Sequence, residues 1–342
     1  MNREPSGPHG RRRAPWGRTA VASLAVGVGA VGAGGCTTES VTPASSAVAY
    51  ATIGAGAANP GSTVAVVDTS TGKLGRPVTV GTLPSALALL PGAKDLVVAV
   101  KAQNELVEVS TATGRVVHRV TVGLEPDAVA VTPDGMLALV ANFGDGTVTP
   151  VHLDTFTDGA AVAVGRQPVA VAVTPDGTRA LVAGFQDGTV TPVALPALTA
   201  GTPVDVGPEP SAVFISSDGA TALVTGFQTS TVTPIALPGL VAGGAVPLGS
   251  NPTGIAGASG APVAWISGGD AVTPITVAAH QVGTPVPVGA PAQCVGVGAG
   301  AVWVCTGGGA LVEVDPGTGR VTRTVRLGGL PSAVVVSPAG AR

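Results

Sequence analysis

The sequence predicts an all-β chain folded as a seven-bladed β-propeller, closed by a composite blade from its N- and C-terminal segments. Three observations carry that prediction. Gly-x-x-Pro recurs at Gly81–Pro84, Gly123–Pro126, Gly165–Pro168, Gly207–Pro210 and Gly249–Pro252, each step being 42 residues. Four short β-prone runs, separated by turn residues, lie between successive copies. The two ends are complementary, with three such runs before Gly81 and a single one after Pro331.

Composition agrees with this reading. Of 342 residues, 51 are Gly and 30 Pro, a share that approaches low complexity, but the 45% hydrophobic content argues against disorder. Val, Thr, Gly and Pro punctuate the whole chain, which excludes long helices.

Taken in chain order, residues 1–35 read as an export signal. Arg3, Arg11, Arg12, Arg13 and Arg18 stand before the uncharged run Thr19–Gly35, which ends in Ala33-Gly34-Gly35-Cys36. A transmembrane anchor is the second reading, but a run of 17 rich in glycine is a poor spanning helix. The end of the run resembles a bacterial lipobox, with Ala33 where Leu is usual. That resemblance implies a diacylated Cys36 as the mature N-terminus. Residues 36–46 are polar and rich in Ser and Thr, suited to tether a domain to a membrane. General secretory and twin-arginine export both remain open.

The propeller is expected over residues 47–342. Ala47–Ile53, Thr63–Asp68 and Pro77–Val80 supply three strands, and Ser332–Ser337 supplies the missing first strand of the same blade. Closure of this kind removes exposed sheet edges. Each intervening unit repeats one grammar, as in Val169–Val173, the turn Pro175-Asp176-Gly177, Ala180–Ala183, Thr189–Val193 and Pro203–Val206. Weaker copies begin at Gly289 and Gly328, after 40 and 39 residues. Pro150, Pro192, Pro234 and Pro274 fall inside third strands, where a lost ladder hydrogen bond predicts a bulge or a shortened strand. Pro203, Pro247 and Pro287 fall in fourth, outermost strands, where they protect an edge.

The segment PDAVAVTPDGMLALVANFGDGTVTPVHL, Pro126 to Leu153, resembles the YVTN-repeat β-propellers, also called YncE-like. The resemblance extends over residues 47–338, although the eponymous tetrapeptide is degenerate at Tyr50–Ile53, Leu139–Asn142 and Leu223–Gly226. The Gly/Ala/Val-rich wording leads to the expectation of a GC-rich bacterial source such as an actinobacterium.

Cys294 and Cys305 flank the turn Gly298-Ala299-Gly300. A two-residue loop at Ala299-Gly300 would set them opposite each other at a Cα separation of about 4.5–5.5 Å, within disulfide range. Export permits oxidation, and a disulfide is the favoured reading over two buried thiols.

Binding residues are expected on the face shared by two loop sets, those joining a fourth strand to the next first strand and those joining second to third strands. The first set carries Glu125, Asp127, Arg166, Gln167 and Glu209; the second carries Lys101, Gln103, Asn104, Asn142, Phe143, Phe185, Gln186, Asp187, Phe227 and Gln228. Polar and aromatic groups gathered at a concave mouth, in a chain with 11% charged residues, point to recognition. Phe143, Phe185 and Phe227 recur at a spacing of 42, which fits packing between blades equally well.

No His lies in these loops as a general base, since His118, His152 and His280 fall on outer strands or the opposite face. Gly-x-Ser-x-Gly, His-Glu-x-x-His and Cys-x-x-Cys are missing from the sequence. Residues 36–342 carry a net charge of −7, which disfavours nucleic acid. The expectation is a monomeric, non-catalytic envelope lipoprotein without metal or cofactor, binding a protein or glycan partner. An enzyme propeller (lyase, lactonase or oxidoreductase) is the alternative, and a nucleic-acid-binding propeller the second.

Overall fold

A computed structural model describes residues 47–54 and 61–338. The expected export signal, Cys36 and the tether lie outside the described residues.

Seven sheets form a ring, and first strands of neighbouring blades touch all the way round. Strands are counted outward from the centre. Blade 1 is composite: Leu330–Val336 is its first strand, followed by Val48–Gly54, Thr63–Asp68 and Val78–Thr79. Blade 2 comprises Pro84–Leu89, Asp95–Val100, Glu105–Ser110 and Arg115–Thr121. Blades 3, 4 and 5 begin at Pro126, Pro168 and Pro210, and blade 6 at Pro252. Blade 7 comprises Ala292–Gly298, Ala301–Thr306, Ala310–Asp315 and Arg320–Arg326. Among the described residues, the strands and contacts that join blade 7 to blade 1 complete the ring.

The alternation of Val, Ala and Leu on the inner strands buries both sheet faces, and this makes the ring cohere. Seven apolar cores result, one between each pair of adjacent blades. The core between blades 7 and 1 joins Ala49, Val67 and Val334 to Trp303, Leu311 and Val325. Each fully buried Val or Leu contributes about 1.5–3 kcal/mol.

The first strand of every blade carries a bulge near its start. In blades 2 to 5 it separates Pro84/Ala86, Pro126/Ala128, Pro168/Ala170 and Pro210/Ala212. A bulge re-aims the extra side chain, and in blades 1, 2, 5 and 6 it points that side chain at the next blade. Ser85 Oγ donates to the Pro126 carbonyl at 2.6 Å and Ser211 Oγ to that of Pro252 at 2.8 Å. Ser332 Oγ donates to the Pro84 carbonyl at 3.0 Å, so the C-terminal strand clasps blade 2 as an ordinary blade would.

The third-strand prolines correct the sequence expectation. All four third strands keep six residues and unbroken register, with Pro150 opposite Leu139, Pro192 opposite Leu181, Pro234 opposite Leu223 and Pro274 opposite Trp265. The interruption falls on the fourth strand instead. In blades 3, 4 and 5 that strand pairs in two pieces of two residues each, Thr157–Asp158 and Val162–Ala163 in blade 3. Between the pieces Gly159 donates its N–H to the Pro150 carbonyl at 2.8 Å, and Gly201, Gly243 and Gly283 repeat the bond to the other prolines. The proline nitrogen faces the same side as its carbonyl, so where the ladder breaks there is no N–H to leave orphaned. Blades 2 and 7 carry Glu108 and Glu313 at this position, and their fourth strands run as single seven-residue strands with a bulge in the pairing just after each Glu. Blade 1, with Val66 there, follows the interrupted pattern through Gly75.

Blade 7 holds the disulfide Cys294–Cys305, Cα–Cα 4.9 Å, across a hairpin whose two-residue loop is Ala299-Gly300. Both loop residues have positive φ, 54° and 75°, the backbone that suits a tight hairpin turn. The same register position holds Ala86/Ala99, Ala128/Ala141 and Ala170/Ala183 in blades 2, 3 and 4.

Candidate functional site

The mouth face repeats one local device. The residue before the blade-opening proline is held at positive φ in Leu83, Glu125, Gln167 and Glu209, at 58°, 52°, 54° and 52°. Non-glycine residues occupy that region at a steric cost. Here the conformation is pinned by a backbone bond from the second-to-third-strand loop. Phe143, Phe185 and Phe227 donate their N–H groups to the carbonyls of Glu125, Gln167 and Glu209 at 3.0, 2.9 and 2.9 Å. The periodic phenylalanines therefore serve the repeat through their backbone, whatever their rings contact.

A second clamp holds the neighbouring residue. Gln103 Oε1 accepts from the Thr82 amide at 2.9 Å, Asp145 Oδ2 from the Leu124 amide at 2.6 Å, and Asp187 Oδ2 from the Arg166 amide at 2.7 Å. Arg166 Nε also donates to Asp187 Oδ1 at 2.6 Å. These bonds from Arg166, backbone first and side chain second, hold the Asp187 carboxyl below the usual carboxylate range. Arg166 is thus engaged with its own clamp.

At blade 5 the clamp is lost. Pro208 stands where an amide would donate, and Thr229 stands where the accepting side chain would be. Nothing comes within 4 Å of a side chain built on Gly207, whereas Gly123 and Gly165 lie against Asp145 and Asp187. A shallow depression of about 690 Å³ opens here, between blades 4 and 5. Gln167, Phe185, Gln186, Asp205, Glu209 and Gln228 line it. Among the described residues, no hydrogen bond or ion pair engages the side chains of Gln186, Glu209 or Gln228. The sequence does not single out Asp205, because it reads as a residue of the outer strand.

The other mouth residues go elsewhere. Lys101 Nζ lies 2.9 Å from Asp127 and 3.6 Å from Glu125, and 4.8 Å from the centre of the Phe143 ring. Asp127 is a bulge side chain and is 4% exposed, so this group ties blade 2 to blade 3. Asn142 is 0% exposed, a correction to its expected place in a binding surface. Its Nδ2 donates to Thr149 Oγ1 at 2.8 Å and Thr147 Oγ1 at 3.0 Å, so it braces the third strand. Its strand-terminal position points the side chain into the interface between blades 2 and 3, which the sequence pattern does not reveal. Phe227 remains 36% exposed beside Gln228.

The described histidines lie away from the mouth. His118 Nδ1 meets Glu108 Oε2 at 2.6 Å on the outer edge of blade 2, and its ring stacks on Phe156 of blade 3. His152 ends a third strand on the opposite face. Among the described residues, no three His, Cys, Asp or Glu side chains form a group able to hold a metal ion. The depression presents amides, carboxylates and one aromatic ring, groups able to donate and accept hydrogen bonds.

No protein-family model matches the sequence, and no curated protein matches it. Solved structures do. A protein of unknown function from Desulfotomaculum acetoxidans superposes with a TM-score of 0.72 at 14% identity, covering 86% of this chain and 98% of that one. The chain shares the seven-bladed propeller fold. A Bacteroides uniformis protein provisionally assigned as a 6-phosphogluconolactonase gives 0.69 at 15%, covering 85% and 99%. Kuenenia stuttgartiensis hydrazine synthase gives 0.65 at 18%, covering 79% and 90%. At these identities the likeness establishes the fold alone.

Proposed function

We propose that this chain is an exported, lipid-anchored recognition module of the bacterial cell envelope, related to the YVTN-repeat propellers, and that its mouth binds a glycan. The observation that carries the ligand class is the depression between blades 4 and 5. Gln186, Glu209 and Gln228 line it without partners among the described residues, on a rigid frame, beside Phe185. Amide and carboxylate groups pair with vicinal hydroxyls, and an aromatic ring packs on the C–H face of a sugar. A preformed frame lowers the ordering cost of such binding. The leader and Cys36 support the address.

The test immobilises the chain from Thr38 to Arg342, which keeps every described strand, and exposes it to solubilised envelope proteins and wall fragments. Gln186→Ala/Glu209→Ala/Gln228→Ala is the parallel bait. A glycan retained by the wild-type chain and lost with the variant supports the reading. Retention of nothing, or of a species indifferent to the substitutions, overturns it.

A catalytic reading draws on the neighbours alone, because two of them carry enzyme names. The mouth offers carboxylates but no histidine among the described residues, so general acid–base work there would fall to Asp205 and Glu209. Turnover of lactones by the wild-type chain, lost in Glu209→Ala, would establish it.

A further inference from the structure

The charged residues divide between two sectors of the ring. Residues 122–291, which build blades 3 to 6, hold twelve acidic side chains against Arg166 and Arg179, a net of −10. Blades 7, 1 and 2 hold nine basic side chains against six acidic ones, a net of +3. Seven of those nine lie on the outermost segments: Lys73 and Arg76 in blade 1, Arg115 and Arg119 in blade 2, and Arg320, Arg323 and Arg326 in blade 7. Outermost segments of blades 3 to 6 carry no Lys or Arg and three Asp, at 154, 158 and 205.

The sector has a repeated signature. The outer turn ends in Thr71-Gly72-Lys73, Thr113-Gly114-Arg115 and Thr318-Gly319-Arg320, with each glycine at positive φ. Elsewhere Phe156, Leu198, Leu240 and His280 hold the corresponding left-handed position and no base follows. Lys73, Arg115 and Arg320 are exposed, and none forms an ion pair among the described residues. Their acidic neighbours are occupied. Glu105 and Glu108 pair with Arg119 and His118, Glu313 pairs with Arg323, and Asp68 and Asp315 accept hydrogen bonds from their own turns.

Aliphatic side chains stand beside the three cations. Leu74 is 52% exposed, Val117 49% and Val321 43%. A soluble polyanion would pair with the cations and have no use for these groups. A bilayer surface uses both, taking cations at the headgroups and aliphatic groups at the acyl boundary. The chain entry lies in the same place. Ala47 accepts from Thr69 N–H and Oγ1, and Arg323 of blade 7 donates to the carbonyls of Thr69 and Ser70 in that turn. Ten residues separate Cys36 from Ala47, a reach of about 35 Å at full extension.

We propose that the outer rim of blades 7, 1 and 2, marked by Lys73, Arg115 and Arg320 with Leu74, Val117 and Val321, docks on an anionic lipid bilayer. The acidic sector then faces away, and so does the depression between blades 4 and 5. The proposal rests on the lipid-anchor reading only for bringing the ring to a membrane, since the docking surface acts without the acyl chain.

The test is sedimentation of the Thr38–Arg342 chain, which lacks Cys36, with vesicles of phosphatidylglycerol and phosphatidylcholine in equal parts. Pure phosphatidylcholine vesicles are the control. Each cation near such a surface is worth about a fivefold change in affinity, so Lys73→Gln/Arg115→Gln/Arg320→Gln should weaken binding on the order of a hundredfold. Arg179→Gln, on blade 4, should leave binding unchanged. Leu74→Ser/Val117→Ser/Val321→Ser should also weaken it, and added salt should suppress it. Equal binding by the charge variant, or equal binding to the neutral vesicles, overturns the proposal. Retention on immobilised polyphosphate without vesicle binding also overturns it and assigns the sector to a soluble polyanion. The mass of the protein extracted from native membranes tests Cys36 acylation separately, so the two readings can fail independently.

Discussion

Arg323 Nη1 donates to the Thr69 carbonyl at 2.7 Å, joining the last complete blade to the composite blade across 254 residues of sequence. Nη2 reaches the Ser70 carbonyl at 3.1 Å, and Nε lies 3.5 Å from Glu313. One guanidinium thus closes the ring at its outer edge, while Ser332 and the core between blades 7 and 1 close it inside.

Arg323→Ala should therefore destabilise the ring by about 1–2 kcal/mol, the worth of charge-assisted hydrogen bonds discounted for partial exposure. Arg323→Lys should recover little, because one ammonium does not reproduce the planar fork. Urea denaturation of the three proteins checks this, and equal midpoints would show that the outer closure contributes nothing.

The bond between Gly283 and Pro274 leaves no room for a methyl group. A Cβ on Gly283 would stand 2.9 Å from Pro274 Cγ, whereas one on Gly244 meets nothing within 4 Å. Gly283→Ala should be less stable than Gly244→Ala by about 1 kcal/mol. Thermal melts of the pair give the comparison, free of the general effect of replacing glycine.

Removing the disulfide should cost stability without changing the fold. Cys294 and Cys305 are 11 residues apart, and closing so short a loop is worth about 3 kcal/mol. Cys294→Ala/Cys305→Ala places an Ala pair where blades 2, 3 and 4 already have one. Its circular dichroism should match the wild type while its urea midpoint falls to that of the reduced wild-type chain.

Acid should loosen the hairpin turns that follow the first strands. Asp134, Asp176 and Asp218 have pKa values lowered by the hydroxyls of Thr132, Thr174 and Ser216 and then by turn amides. Their contribution is full above the unfolded carboxylate value of about 3.9 and is lost as pH falls through the lower folded values. Asp134→Asn/Asp176→Asn/Asp218→Asn should flatten the melting temperature between about pH 4 and pH 2. Asp95, raised by burial and then by Glu108, works in the opposite direction and stabilises as it protonates.

Local features of the fold were legible because they depend on neighbours in sequence. The 42-residue period, the turn at Asp176-Gly177 and the opposition of Cys294 to Cys305 follow from strand alternation and tight-turn stereochemistry. Complementary chain ends also announced the composite blade, because an open array would leave unpaired edges.

The site was legible only as a set of loops. Asn142 and Asp127 share those loops with Gln228, yet both are buried between blades 2 and 3, and their orientation depends on a strand end and on a bulge. The depression arises where Pro208 and Thr229 break a clamp between a backbone amide of one loop and a side chain of another. The third-strand prolines show the same limit. The lost hydrogen bond was foreseeable, but which strand would yield depended on Gly159 and its counterparts across the sheet.

The sequence by itself determined the repeat, the strand order and the way the ring shuts, since each follows from local periodicity and edge pairing. Only the tertiary structure decided which residues act together. Lys73 and Arg115 belong with Arg320 because closure brings residues near the two ends of the chain into neighbouring blades, and electrostatics acts on distance in space rather than on separation along the chain.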